Sequence, residues 1–120
     1  MAQIERILQK EVDLTVFNIT GNLGFKEIID LVDLIYASEI TLNMLMDLSS
    51  ADTASLTSEQ IEKISNHSRK YSYLRSGGKT AYVVKNDLEF GLARMYQIRT
   101  ELDGHHESHG VFRSLDEAMI

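Results

Sequence analysis

Short apolar runs alternate with helix-length segments along most of this chain, and that alternation restricts its fold more than any other feature. Apolar runs lie at 41–48, 81–84 and 111–112, and a segment with helix start signals follows each of them. Runs of this length, bounded by polar loops, are typical of buried strands. Strands that alternate with helices usually pair in parallel, through right-handed crossovers. The sequence therefore predicts an α/β fold with a mixed, mostly parallel sheet.

The first 20 residues predict an antiparallel edge for that sheet. The segment from Ile4 to Thr20 is interpreted as two strands, with Lys10-Glu11 at the tip of a hairpin. The second strand has the period-2 pattern of a half-buried strand at Val12, Leu14 and Val16. Phe17 and Ile19 break that phase. The break indicates either a bulge or a strand that is covered on both faces.

Helix start and stop signals divide the rest of the chain. The first helix follows a glycine turn at 21–24, and its predicted core face is Phe25, Ile28, Ile29, Val32, Ile35 and Tyr36, with Leu31 and Leu34 off that stripe. Thr57 and Gln60 have the spacing of a capping box and open a second helix. That helix is predicted to run to about Arg75, before a glycine exit at 77–78.

Capping signals predict two further helices. Asn86 and Glu89 repeat the capping spacing, and a third helix is predicted to continue to about residue 102. Its predicted core stripe is Leu88, Leu92, Met95 and Leu102. A last capped helix begins near Ser114, barely one turn before Ile120, so we expect the native protein to continue. The predicted order is β-β-α-β-α-β-α-β-α, in a single domain over residues 1–120.

Composition narrows the class of protein. The 120 residues, 43% of them hydrophobic and 25% charged, fit one globular domain. The absence of cysteine excludes disulfides, thiolate metal sites and a cysteine nucleophile. A formal net charge of −6 argues against nucleic-acid binding. The N-terminus is too charged for a secretory signal, and no apolar run approaches the roughly 20 residues that span a bilayer. We therefore expect a cytoplasmic protein that is not transmembrane.

Three segments, together with the element order, carry a resemblance to a known family. They are Met46-Asp47-Leu48, the run 81–84 leading into 90–95, and Val111-Phe112-Arg113 followed by 115–118. In these positions the chain resembles the SpoIIAA-like (STAS/SEC14-like) family of small bacterial proteins. The resemblance implies a STAS-like α/β fold and a non-enzymatic role as a regulatory or protein-interaction module. It also implies an alternative, a SEC14-like carrier of a small apolar ligand or lipid.

A hydroxyl-rich loop is the first candidate site. Six of the ten residues from Ser49 to Ser58 carry a hydroxyl group. In STAS anti-anti-sigma proteins, a serine at the start of the helix after a central strand is phosphorylated by a kinase that is also the binding partner. The resemblance therefore makes Ser55, Thr57 and Ser58 candidates for phosphorylation or partner binding, although Ser58 replaces the glycine of the family motif. The alternative is that Thr57 only caps the helix and the other hydroxyls are solvated.

The third helix supplies the second candidate site. Its apolar residues crowd more than one face, and Phe90, Met95 and Tyr96 are left for an apolar ligand or an interface, including that of a homodimer. The alternative is a helix that is covered on two sides by the rest of the fold.

Histidines and charged residues give weaker signals. His105, His106, Glu107 and His109 could ligate zinc or nickel, but loop histidines beside glycines are usually solvated, so we expect no metal and no cofactor. Six cations between residues 63 and 85 are interpreted as a solvated helix surface. An enzyme using Asp47, Asp52 or the histidine cluster is a third hypothesis. No spacing assigns roles to these groups, so we expect no enzymatic activity.

Overall fold

The structure is a computed structural model that describes residues 2–119. Its strands are β1 (Gln3–Gln9), β2 (Leu14–Asn22), β3 (Asn43–Asp52), β4 (Lys79–Val83) and β5 (Ser108–Phe112). Its helices are α1 (Phe25–Ala37), α2 (Ser58–Arg69), α3 (Asp87–Leu102) and α4 (Leu115–Ala118). Short 3-10 turns lie at Lys10–Val12 and Ser72–Arg75. Ile120, where we expect the native chain to continue, lies outside the described residues.

The five strands form one sheet in the order β1-β2-β3-β4-β5. β1 pairs antiparallel with β2, and the three other pairs are parallel. This confirms the predicted α/β class and the antiparallel edge. Each parallel pair is joined through one of the helices α1, α2 and α3, and right-handed crossovers between successive neighbours place the helices on the same face of the sheet. Among the described residues, no helix is both long enough and apolar enough to cross a membrane.

The helix-covered face of the sheet carries the main core. The strand register places Phe17, Met46 and Tyr82 side by side on this face. Phe17 and Ile19 are buried, whereas Val12 is 60% exposed. The inward phase of β2 is therefore that of Phe17 and Ile19; Leu14 and Val16 belong to the other face, and Val12 lies in the 3-10 turn before the strand. The pairing of β2 with β3 also shifts register between residues 18 and 20.

The six residues of the predicted core face of α1 are all buried or half-buried, but the face also includes Leu31. Leu31 and Ile35 are its most buried residues, at 6% and 5% exposure, while Leu34 is 58% exposed. Leu31 was predicted to lie off the stripe, and that prediction is wrong. Leu31 and Ile35 lie one turn apart and project together toward Phe17 and Ile19 in the same cluster.

The second helix ends earlier than predicted, and Arg75, which was predicted to end it, is buried inside the protein. α2 stops at Arg69, and the chain continues through the 3-10 turn at 72–75. Arg75 is only 2% exposed, and its guanidinium donates to the carbonyl of Leu42 at 3.1 Å and to that of Lys79 at 2.9 Å. Arg75 therefore joins the segments that enter β3 and β4, and it is not part of the solvated cationic surface that the sequence predicted.

Candidate functional site

The hydroxyl-rich segment forms a shorter loop than the sequence indicated: residues 49–52 belong to β3, Ser58 begins α2, and residues 53–57 connect them at the edge of the sheet where the parallel strands end. Thr53 anchors the loop, because its backbone N–H and its hydroxyl both donate to Glu89 Oε2, at 2.9 and 2.8 Å. Glu89 lies in the first turn of α3 and is itself buried. The β3–α2 loop (residues 53–57) is thus tied to the N-terminus of α3. The sequence pattern indicated Glu89 only as a cap residue, and no local signal indicated this contact.

The predicted capping box is present at the start of α2. The hydroxyl oxygen of Thr57 accepts from the Gln60 N–H at 3.2 Å, and the Gln60 side chain accepts from the Thr57 N–H at 3.1 Å. Ser55, Thr57 and Ser58 are all exposed, so each hydroxyl can be reached from solvent. The Thr57 hydroxyl is engaged as a cap, whereas Ser58, the first residue of α2, takes no part in the box. Phosphorylation of any of the three stays a prediction.

An apolar stripe runs along the outer face of α3. Leu88, Met95, Ile98 and Leu102 are 59%, 42%, 50% and 74% exposed, and Gly91 lies between the first two. Three of these four residues were predicted to form the core stripe, and that prediction is wrong. The inward face instead carries Glu89, Tyr96 and Thr100, of which Glu89 and Thr100 are buried. These polar groups can occupy inner positions because Glu89 is bonded to Thr53 on the loop, Tyr96 to Ser68 on α2, and the Thr100 hydroxyl to the Gln97 carbonyl within α3.

The three residues proposed as an apolar site lie in three different surroundings. Phe90 is half-buried under the guanidinium of Arg113, which stands 4.3 Å from the ring centre. Met95 belongs to the outer stripe of α3. Tyr96 points inward and shares a hydrogen bond of 2.8 Å with the Ser68 hydroxyl on α2. Burial raises the pKa of Tyr96, so its hydroxyl stays protonated.

A cavity of about 120 Å³ lies between the sheet and the helices α1, α2 and α3. Tyr96 lines it, whereas Phe90 and Met95 do not. Thr53, Leu56 and Glu89 also line it, so the cavity reaches the β3–α2 loop. Sites for drug-sized ligands occupy about 300–1,000 Å³, so this volume is too small for a lipid. The lipid-carrier alternative therefore finds no support in the cavity.

Three members of the histidine cluster have buried side chains, which corrects the expectation of solvated loop histidines, whereas His106 is exposed as expected. The side chains of His105, Glu107 and His109 are 2%, 2% and 6% exposed. Glu107 Oε1 lies 3.1 Å from His105 Nδ1 and 3.3 Å from His109 Nε2, and Glu107 Oε2 lies 3.8 Å from Arg75. Burial alone would raise the pKa of Glu107, but the two histidine hydrogen bonds and the charges of His109 and Arg75 lower it to about 2.

One ligand atom from each of the three clustered residues could face a single metal ion, since those atoms lie within 4.8 Å of one another. Each is already engaged, however: His105 Nε2 contacts the Ser65 carbonyl at 3.1 Å and His109 Nδ1 contacts the Tyr82 hydroxyl at 3.0 Å. The Arg75 cation beside Glu107 opposes a second cation at the same place. We interpret the cluster as a charge network that joins β5 to α2 and β4.

The acidic residues of the third hypothesis are not brought to this network. Asp47 pairs with Val83 in the strand register, while His109 pairs with Thr80, so Asp47 and His109 project from opposite faces of the sheet. Asp47 accepts from the backbone and hydroxyl of Ser49, and Asp52 accepts from the Ala54 N–H. The Asp47 carboxylate is engaged within β3 and the Asp52 carboxylate in the turn that follows this strand, an arrangement that assigns them no chemistry.

Comparisons with known proteins support the fold. No protein-family model and no curated protein matches the chain at the level of sequence. A crystal structure from Shewanella loihica PV-4, of a DUF3478-family protein with a SpoIIAA-like fold, matches 98% of this chain and 90% of its own at a TM-score of 0.55 and 15% identity. An anti-sigma factor antagonist from Mycobacterium paratuberculosis matches 99% of this chain and 92% of its own, at a TM-score of 0.56 and 16% identity. Similarity at this level of identity establishes a shared fold.

Proposed function

Because the chain has a SpoIIAA-like fold, we propose that it is a non-enzymatic regulatory module, cytoplasmic, that binds a protein partner through the outer face of α3 and the adjoining β3–α2 loop. One observation carries the proposal: the exposed apolar stripe of α3, formed by Leu88, Met95, Ile98 and Leu102. A helix whose largest apolar side chains face solvent exposes area that a partner would remove from water. The Mycobacterium paratuberculosis protein that shares this fold is, as its name states, an antagonist of an anti-sigma factor.

The spacing of the stripe suits a helical partner. Its members recur at intervals of seven residues from Leu88 to Leu102, with Gly91 and Ile98 between them. This is the spacing by which one helix packs against another in a shallow crossing. A Cβ added at Gly91 would meet nothing within 4 Å, so the backbone of α3 is open to close approach at that point. Arg94, exposed beside the stripe, favours a partner with a flanking acidic residue.

The β3–α2 loop adjoins this stripe, which makes it suitable for regulation of the same contact. Thr53 bonds to Glu89, next to Leu88 at the start of the stripe. A phosphate on Ser58 would sit at the N-terminus of α2, where the free backbone N–H groups and the helix dipole favour an anion. A phosphate on Thr57 would instead disrupt the capping box. Ser58 is therefore favoured over Thr57 as the modification site.

The experiment is affinity purification from the source cell with two single variants of matched chemistry. Ile98→Asp places a charge in the centre of the stripe, and Leu34→Asp places the same charge on the exposed side of α1, where Leu34 is 58% exposed. We expect Leu34→Asp to retrieve the same partners as the wild type and Ile98→Asp to lose at least one of them. A partner set that is unchanged by Ile98→Asp contradicts the proposal.

Self-association is tested with the same variants. The homodimer expected from the sequence would use the same stripe, since a two-fold contact places one patch against its copy. We expect sedimentation velocity to give one species for Ile98→Asp at all concentrations. If the wild type forms a dimer that survives Ile98→Asp, the dimer uses another surface, and the stripe remains available for a different protein.

A further inference from the structure

The cavity between the sheet and the three long helices lies inside the main core, where side chains usually fill the available space. Met46 and Leu48 are on the helix-covered face of the central strand β3, where side chains are normally sealed, yet both are only half-buried and both line the cavity. Leu56 and Leu92 line it as well and are also half-buried. The cavity is therefore bounded by the middle of the sheet on one side and reaches toward solvent between the β3–α2 loop and α3.

The polar groups in the cavity wall already have partners. The Thr53 hydroxyl donates to Glu89 at 2.8 Å, and the other Glu89 oxygen accepts from the Asn86 side chain. The Tyr82 hydroxyl lies 3.0 Å from His109 Nδ1, and Tyr96 is bonded to Ser68. A water molecule needs two to four free partners to be held in a cavity, and this wall offers it few. The remaining lining is aliphatic, from α1, β3 and α2.

From these observations we propose that the cavity binds one small, neutral, apolar molecule of about the size of benzene. An apolar cavity of roughly 150 Å³ is large enough to hold benzene or xenon, and the cavity here has about 120 Å³. An anion would meet the Glu89 carboxylate, and a cation would have to displace Thr53 and Asn86, the neutral donors that already occupy both Glu89 oxygens. This inference does not depend on the proposed partner surface, because the stripe of α3 lies on the opposite side of that helix.

Toluene is the probe, and benzoate is its charged counterpart. We expect toluene to raise the unfolding temperature of the wild type in a saturable way, since a ligand that binds only the folded state stabilises it. Benzoate at equal concentration should give no shift. Nuclear Overhauser effects from toluene to the methyl groups of Leu56, Ile61 and Leu92 should locate the ligand without any substitution.

A matched pair of variants tests the location independently. Ala93 lines the cavity, so Ala93→Leu should fill it, lower toluene affinity at least tenfold and raise the unfolding temperature of the ligand-free protein. Ala37→Leu adds the same side chain at an exposed position at the end of α1 and should leave toluene binding unchanged. The proposal is overturned if toluene gives no saturable response in the wild type, or if its Overhauser contacts fall on residues outside the cavity. Should Ala93→Leu not fold, those contacts alone decide.

Discussion

At the scale of single residues, side-chain hydrogen bonds of two ranges hold the fold: a cap at the start of α2, and contacts that join Thr53 to Glu89 and Arg75 to Leu42. The Thr57–Gln60 capping box was predicted because its two partners lie three positions apart. The contact between Thr53 and Glu89 spans 36 positions, and nothing in either local pattern indicates it. Arg75 was interpreted as a solvated cation for the same reason: its partners, the carbonyls of Leu42 and Lys79, are brought together only by the pairing of β3 with β4.

The cap on α2 gives a prediction at this scale. Thr57→Ala removes the acceptor for the Gln60 N–H, and the loss of an N-cap costs about 1 kcal/mol of stability. Ser55→Ala, at an exposed position in the same loop, should change the free energy of unfolding by less than about 0.5 kcal/mol. Urea unfolding of both variants checks this expectation. Equal effects from the two substitutions would show that the box contributes nothing measurable.

At the scale of elements, start signals were reliable and the choice of inward face was not. All three long helices begin within one residue of the predicted cap or turn, because capping depends on adjacent residues. The face of α3 was assigned by hydrophobicity, and the structure reverses it: Glu89 and Thr100 are buried, while Leu102 is 74% exposed. Hydrophobicity cannot identify the inward face when polar side chains find partners inside the fold.

Two glycines provide an element-scale prediction with opposite outcomes. A Cβ at Gly91 would meet nothing within 4 Å, so Gly91→Ala should stabilise α3 by about 1 kcal/mol. A Cβ at Gly78 would stand 2.0 Å from the Leu42 carbonyl oxygen, so Gly78→Ala should destabilise the start of β4 by more than that amount. Thermal unfolding measures both. If Gly91 provides close approach for a helical partner, Gly91→Ala should also weaken partner capture although the protein is more stable.

At the scale of the whole molecule, strand order could be predicted while the charge network could not. Alternating strands and helices, with one initial hairpin, predicted the mixed sheet that the structure has. The network around Glu107 draws on the turn after α2, on β4 and on β5, which come together only in the finished sheet. His109 looked like a loop residue because short strands such as β5 leave a weak period-2 pattern, whereas His105 does lie in the loop before β5 and is buried by long-range contacts with Ser65.

That network predicts how global stability depends on pH. The pKa of Glu107 is about 2 in the folded protein and near 4.5 when unfolded, so the unfolded chain binds more protons between these values. By linkage, the stabilisation from Glu107, on the order of 3 kcal/mol, is complete above about pH 5 and is lost as the pH falls toward 2.

Replacement of Glu107 tests this expectation. Glu107→Gln leaves Arg75 buried without its carboxylate, which should cost roughly 3–5 kcal/mol at pH 7. The difference in unfolding free energy between wild type and variant should then narrow by pH 3, because the wild type loses the Glu107 contribution that the variant never had.

Glu101→Gln, at an exposed position on α3, is the control, and its unfolding free energy should differ from that of the wild type by a small, constant amount at every pH. Denaturant unfolding at pH 7, 5 and 3 measures the three proteins. If the difference in unfolding free energy between the wild type and Glu107→Gln stays constant down to pH 3, the pKa of Glu107 is the same in the folded and unfolded protein. The network would then stabilise the fold by packing alone.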